Sequence, residues 1–224
     1  MVSLYGMDDR IWNEGRRGSR RAGRGKSEVL HGVRRVIARR GADATRFTDV
    51  AAETGTAVST LQYSFGSRED LIVAALEEAA WADIERVRAA CATASGPVAM
   101  LRTLVCASVV ADDLERAREA WLVWVEYWRA AARDEELRAG SAAVYAEWRA
   151  LVGSILADGC AGGVFPGDLD RERAATQVLA LVDGVGVPLV LDHPDMTSSL
   201  AAQIVLAALA ALLECRSLAM DLPA

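Results

Sequence analysis

Between Phe47 and Leu71 the chain carries Thr56, Ser59, Thr60, Gln62 and Tyr63, side chains that donate and accept hydrogen bonds without charge. Val58, Leu61 and Phe65 recur among them at three- and four-residue steps, the spacing of one buried helical stripe. A short helix with that stripe inside presents its polar set outward. Gln pairs bidentately with adenine and a Thr methyl packs on thymine, so the implied chemistry is the reading of base edges in a DNA groove. Thr48, Arg68, Lys26 and Arg24 are placed for phosphates, contacts that orient a protein on DNA without reading sequence. For Thr60 the competing reading is helix packing.

A second set is aromatic. Trp121, Trp124, Tyr127 and Trp128 share one stretch with the carboxylate Glu126, while Tyr145 and Trp148 follow downstream and Trp81 precedes them. Aromatic faces beside a carboxylate suit an organic cation through cation–π attraction. Plain core filling is the competing reading for any one ring. A lone buried Glu is expensive, so pairing with Arg129 or Arg149 is the competing reading for the carboxylate.

The elements that must position the first set are two short helices with a sharp corner at Gly55, a residue that tolerates positive φ. Phe47, Val50 and Ala51 form the inner face of the first. Upstream, a helix is predicted from Ser27, as N-cap, to Arg40, with Val29, Leu30, Val33, Val36 and Ile37 inward and Gly41 ending it. Downstream, Ser67 and Asp70 make a capping-box-like start to a long helix over 68–93 bearing Leu71, Ala74, Ala75, Trp81 and Ile84. After Ser95-Gly96-Pro97, helices are predicted at 98–110, 113–132, 135–159, 170–191 and 196–217. No stretch alternates with period two, so the fold class is all-α: a three-helix helix-turn-helix head joined by a long helix to a helical body.

The head resembles the DNA-binding domain of the TetR family of bacterial transcriptional regulators. The residues that carry the resemblance are Asp49-Val50-Ala51, Gly55, Thr60-Leu61, Phe65 and Gly66-Ser67-Arg68-Glu69-Asp70-Leu71. Ala57 stands where a Ser or Thr cap is common in that family, and Gln62 where Tyr often stands. The body resembles the betaine-regulator-like repressors at Ala131-Ala132-Arg133-Asp134-Glu135-Glu136-Leu137-Arg138, Trp148-Arg149 and Leu181-Val182-Asp183-Gly184. Asp183 joins the candidate ligand-binding set on that ground. The resemblance implies that the last two helices of each subunit build a four-helix homodimer interface, and their apolar faces argue the same physically. Gly184-Val185-Gly186-Val187-Pro188 predicts a kink, read as a packing adjustment at that interface or as a pivot.

The net charge of −6 is segregated. Residues 1–26 hold seven cations against three carboxylates, 27–75 balance at six and six, and 76–224 hold twelve Arg against twenty-two carboxylates. Local field is what a phosphate backbone meets, so the acidic total does not exclude nucleic acid. Residues 1–25 are expected to be a disordered basic arm, 26–72 the DNA-binding domain, and 73–224 the ligand-binding and dimerisation domain. No apolar run reaches bilayer length and no signal-peptide core precedes the arginines, which reads as a soluble cytoplasmic protein. Cys91, Cys106, Cys160 and Cys215 lack metal spacing, and a redox role for Cys160 is a minor alternative. His31 and His193 carry no assigned role. No metal or cofactor is implied.

Nothing resembles a nucleophile–base arrangement, a P-loop or a dinucleotide fingerprint, so no enzyme is expected. The reading is a ligand-responsive repressor that binds a palindromic operator as a dimer and is released by a small-molecule effector. The alternatives are an architectural DNA binder without sequence preference and a regulator that needs a co-ligand to bind DNA.

Overall fold

The computed structural model describes residues 25–110 and 114–219, and the expected basic arm, Arg24 included, lies outside the described residues. Among the described residues the fold is all-α: α1 Lys26–Arg40, α2 Phe47–Thr54, α3 Val58–Phe65, α4 Arg68–Ala92, α5 Pro97–Val109, α6 Leu114–Ala131, α7 Glu135–Ala161, α8 Arg171–Val190 and α9 Ser198–Leu212, then a 3-10 turn Arg216–Ala219. The chain divides into two compact units, Met1–Ala79 and Ala80–Ala224, with the boundary inside α4.

In the first unit α1 packs on α2 and α2 on α3. The α1 stripe is buried throughout, from Val29 to Ile37, and meets Val50, Leu61, Phe65 and Leu71 in one core. Gly32 is needed where α1 and α2 touch, because a Cβ there would overlap the Thr54 methyl. Gly55 turns the corner with φ 69° and bonds back to the Ala51 carbonyl at 2.9 Å. The Ser67–Asp70 box opens α4 reciprocally: the Asp70 amide donates to Ser67 Oγ at 3.0 Å, and the Ser67 amide to Asp70 Oδ2 at 3.2 Å.

Several expected positions move. Ser27 is not the N-cap of α1; Gly25 is, without a side-chain bond, and the Ser27 hydroxyl donates instead to Glu78 Oε1 at 3.4 Å. Phe47, Ala51 and Val58 are only half-buried, while Thr54 and Ser64 take fully buried places. Thr54 tolerates this because its hydroxyl donates to the Val50 carbonyl at 2.8 Å, and burial of a satisfied hydroxyl costs little.

In the second unit α8 is the hub, packed against α5, α6, α7 and α9. Val105, Val152, Ile155, Leu156, Val178, Val205, Leu206 and Leu209 fill the core between these helices. Gly96 (φ 86°) and Pro97 start α5 as the break predicts. Two predicted ends are corrected. α7 runs past Gly159 to Ala161, since Gly159 stays helical beneath the Phe165 ring, where a Cβ would not fit. α9 stops at Leu212 rather than 217, because Glu214 takes a left-handed φ of 48° before the 3-10 turn. α8 is a single helix that keeps Pro188 inside it.

By length and composition α8 also meets the measure of a membrane-crossing helix, contrary to the expectation that no run does. Its Ala174, Ala175, Val178, Leu179 and Val182 are buried against neighbouring helices, which is the position of a core helix.

Candidate nucleic-acid interface and aromatic effector site

The head sorts its polar set by helical face. Ser59, Gln62 and Tyr63, related by three- and four-residue steps, are exposed on one face of α3, with Tyr63 at 75%. Leu61, Ser64 and Phe65 are buried on the other. Thr56 and Thr60 are half-buried at the margin, and the Thr56 amide donates to Thr54 Oγ1 at 3.3 Å, which fixes the corner. Ala57 leaves the first turn of α3 without a side-chain cap, so its amides keep hydrogen-bonding capacity for an anion. Thr48 is exposed in the first turn of α2 and Lys26 is half-buried at the start of α1.

Arg68 has a different task from the one its type suggests. Its Nη1 donates to the carbonyls of Ala42 at 2.8 Å, Asp43 at 3.3 Å and Thr45 at 3.0 Å, and its Nε to Glu69 at 3.1 Å. The guanidinium therefore clamps the α1–α2 turn onto the start of α4. A second set of ion pairs fixes α2 against α1: Arg35 Nε meets Glu53 Oε1 at 2.7 Å, Arg39 Nη2 meets Glu53 Oε2 at 2.5 Å, and Arg40 meets Asp49 at 2.9 Å. Hydrogen bonds from Arg35 first and Arg39 second hold the Glu53 carboxyl below its ordinary range.

In the body α6 gathers its rings on one side. Trp121 and Trp128 centroids lie 6.3 Å apart, Trp124 and Trp128 5.9 Å, and Trp124 and Tyr127 6.0 Å in an edge-on arrangement. Trp121 is buried against α8 at Gly186, where a Cβ would overlap its ring. The Trp124 indole donates to Asp83 Oδ2 of α4 at 3.1 Å. Tyr145 of α7 donates its phenol proton to Asp183 Oδ2 of α8 at 2.8 Å. Burial, then the Asp183 charge and their hydrogen bond, push the Tyr145 phenol far up; the Trp128 indole N–H opposes this without completing hydrogen-bond geometry. Burial likewise raises the Asp183 carboxyl, against the pull of the Tyr145 bond.

Trp121, Trp124, Tyr127, Trp128, Tyr145 and Asp183 thus interlock across α6, α7 and α8. Trp148 is buried, and Trp81 is 41% exposed; among the described residues neither joins these ring contacts. Glu126 is paired with Arg129 Nε at 2.9 Å, the ordinary alternative for that carboxylate. Sequence reasoning missed Asp83, which is 41 residues from its Trp124 partner, and the use of Gly186 as a seat for a ring. Among the described residues no cluster of His, Cys, Asp and Glu could hold a metal ion.

A helix-turn-helix head with a polar outer face, followed by a helical body built around aromatic rings, is the architecture of a DNA-binding transcriptional regulator. The description "Bacterial regulatory proteins, tetR family" matches residues 29–75, and "BetI-type transcriptional repressor, C-terminal" matches residues 97–214. The chain belongs to the TetR family of transcriptional regulators, in its BetI-type branch. It is 29% identical over 160 residues to the HTH-type transcriptional regulator BetI of Rhizobium meliloti (strain 1021), covering 71% of this chain and 75% of that one. A regulator from Saccharomonospora viridis, solved in complex with choline, is 28% identical with a TM-score of 0.71, over 80% of this chain and 91% of that one. A TetR-family regulator from Rhodococcus sp. shares the fold at a TM-score of 0.70 and 24% identity, over 84% and 97% of the two chains.

Proposed function

We propose that the chain is an effector-released repressor that binds a palindromic operator as a homodimer. Ser59, Gln62 and Tyr63 read base edges, with Thr56 and Thr60 at the groove margin. Thr48, Lys26, Arg24 and the uncapped start of α3 hold phosphates. The homodimer forms through α8 and α9, where Val187, Leu200 and Ile204, with Leu191 just past the end of α8, are exposed apolar side chains. A symmetric pair of heads reads two half-sites, which one short recognition helix cannot do alone.

The effector is a small organic cation. The observation that carries this is the interlocked set Trp121, Trp124, Trp128, Tyr145 and Asp183, several aromatic faces beside a carboxylate. The choline bound by the Saccharomonospora viridis regulator supports it. Occupancy of the site is passed along α4, which is continuous from Arg68 to Ala92. A difference of a few kcal/mol in DNA affinity between two head arrangements is enough for an effective switch.

The DNA half of this reading is tested by fluorescence anisotropy on the upstream intergenic DNA and on a scrambled duplex across a salt series. Tight, salt-sensitive binding to the palindromic sequence alone supports the operator. Equal binding to both duplexes points to an architectural DNA binder instead. Binding that appears only with choline present points to a co-ligand mechanism.

A further inference from the structure

We infer that Asp83 is a positioning residue, and that its bond to the Trp124 indole is the joint through which occupancy of the body acts on operator binding. This rests on the effector-released reading above and names the residues that transmit the release.

The joint lies within the second unit. Trp121, Trp124 and Trp128 stand three and four residues apart on α6, hence on one face of the helix. The Trp124 ring centroid is 5.9 Å from that of Trp128 and 6.0 Å from that of Tyr127, so a displaced neighbour displaces it. Its indole N–H donates to Asp83 Oδ2 of α4 at 3.1 Å. One ring therefore belongs to the aromatic cluster and to the packing on α4 together.

The Asp83 carboxylate is held by its own helix. Arg86, three residues on, donates from Nε at 3.1 Å and from Nη2 at 2.5 Å, both to Oδ1. That division leaves Oδ2 to the indole. The Asp83 side chain is only 19% exposed, and Ile84 and Val87 beside it on α4 are fully buried. The carboxylate thus moves with α4. Losing the indole donor would leave a largely desolvated oxygen short of a bond, which is costly. A bond of this length also weakens steeply when the donor tilts or withdraws. Ring movement that admits an occupant therefore has two outcomes: α4 follows the ring, or the bond is lost. Such a contact with two discrete arrangements is what couples separate sites.

A second tie from α4 lacks this property. Arg88 Nη2 meets Glu147 Oε2 of α7 at 3.0 Å, but both side chains are exposed and Arg88 is shared with Glu85. Water can replace either partner there, so the tie anchors α4 weakly. It serves as the control.

The test measures the coupling factor, the ratio of operator dissociation constants with and without saturating choline, by fluorescence anisotropy on the upstream intergenic duplex. The full-length proteins are wild type, D83A, W124F, the double variant and R88M, with choline affinity of each taken by calorimetry. W124F keeps a ring and loses the N–H, a second route to the same bond. Wild type should show a factor of at least about tenfold. In D83A choline affinity stays within about threefold of wild type, while the factor falls below about threefold. W124F lowers the factor likewise, the double variant lowers it no further than D83A, and R88M keeps the wild-type factor within about twofold. A merely structural role for Asp83 would lower stability without separating choline binding from release. D83A and W124F with wild-type factors overturn the inference, and so does an equal loss in R88M, which would make general anchoring of α4 responsible. Losses that multiply in the double variant would show that the two residues act separately, and overturn the joint. Wild type that binds no choline overturns the cationic effector itself, and this inference with it.

Discussion

Gly186 of α8 is the seat of the Trp121 indole: a methyl group there would overlap three carbons of the six-membered ring. The Trp121 ring therefore lies directly against the hub helix because position 186 has no side chain. Gly186→Ala must push the ring aside, and overpacking of this kind typically costs about 1–3 kcal/mol. For a chain of this size each kcal/mol lowers the melting temperature by about 2–4 °C. The expected variant melts several degrees lower, with a changed tryptophan emission. An unchanged melting temperature and spectrum would mean that Trp121 does not seat there.

Arg68 separates two kinds of role that a basic residue can play in a DNA-binding head. Its Nη1 is engaged by the carbonyls of Ala42, Asp43 and Thr45. Arg68→Met should lower the stability of the head by about 1.5–3 kcal/mol, the range for bonds from a charged group. Operator affinity should fall with it while the slope of log affinity on log salt stays as in wild type. A slope smaller by about one unit would show a lost phosphate contact instead.

The Asp183 carboxyl is raised from its ordinary 3.8 by burial. Its charged form is therefore disfavoured by folding: the effector-free protein carries a penalty above the folded pKa and sheds it as pH falls through that value. At pH 7, Asp183→Asn should raise the melting temperature of the effector-free protein, by about 2–4 °C per kcal/mol relieved. A lower melting temperature in D183N would show the charge to be stabilising. The expected sign is that of a residue kept for binding rather than for stability.

Glu53 has the opposite sign. The bonds from Arg35 and Arg39 lower its carboxyl from 4.5, so its contribution is full above that value and is lost as pH falls through the lower, folded one. All three side chains are partly exposed, so the effect is modest, up to about 1 kcal/mol. Glu53→Gln should be slightly less stable than wild type at pH 7 and converge with it in acid, followed by circular dichroism. A constant gap at every pH would separate the effect from ionisation.

What the sequence revealed depended on how local its signal was. The α1 stripe, the Gly55 corner and the Ser67–Asp70 box are each set by residues a few positions apart, and the three- and four-residue period exposes them directly. The Glu126–Arg129 pair was legible for the same reason, being three residues apart on one helix. Ser27 misled because a residue of capping type stood one position inside the helix, and its hydroxyl found Glu78 instead. The target of Arg68 left no trace, since backbone carbonyls carry no side-chain signature. Asp83 and Gly186 were hidden for a different cause: each is defined by a ring from a distant helix, and nothing in their own neighbourhoods marks them. Apolar periodicity likewise could not separate the interlocked Trp124 and Trp128 from the exposed Trp81.

The most direct test of the account is a choline titration into the preformed complex of the protein with its operator, followed by fluorescence anisotropy, with sodium chloride at matched ionic strength as the control. The account predicts that choline releases the DNA at concentrations where salt alone does not, and that D183N needs about tenfold more choline to do so. Wild-type protein that binds choline yet keeps its operator at saturation would contradict the claim that the aromatic site controls the DNA-binding head.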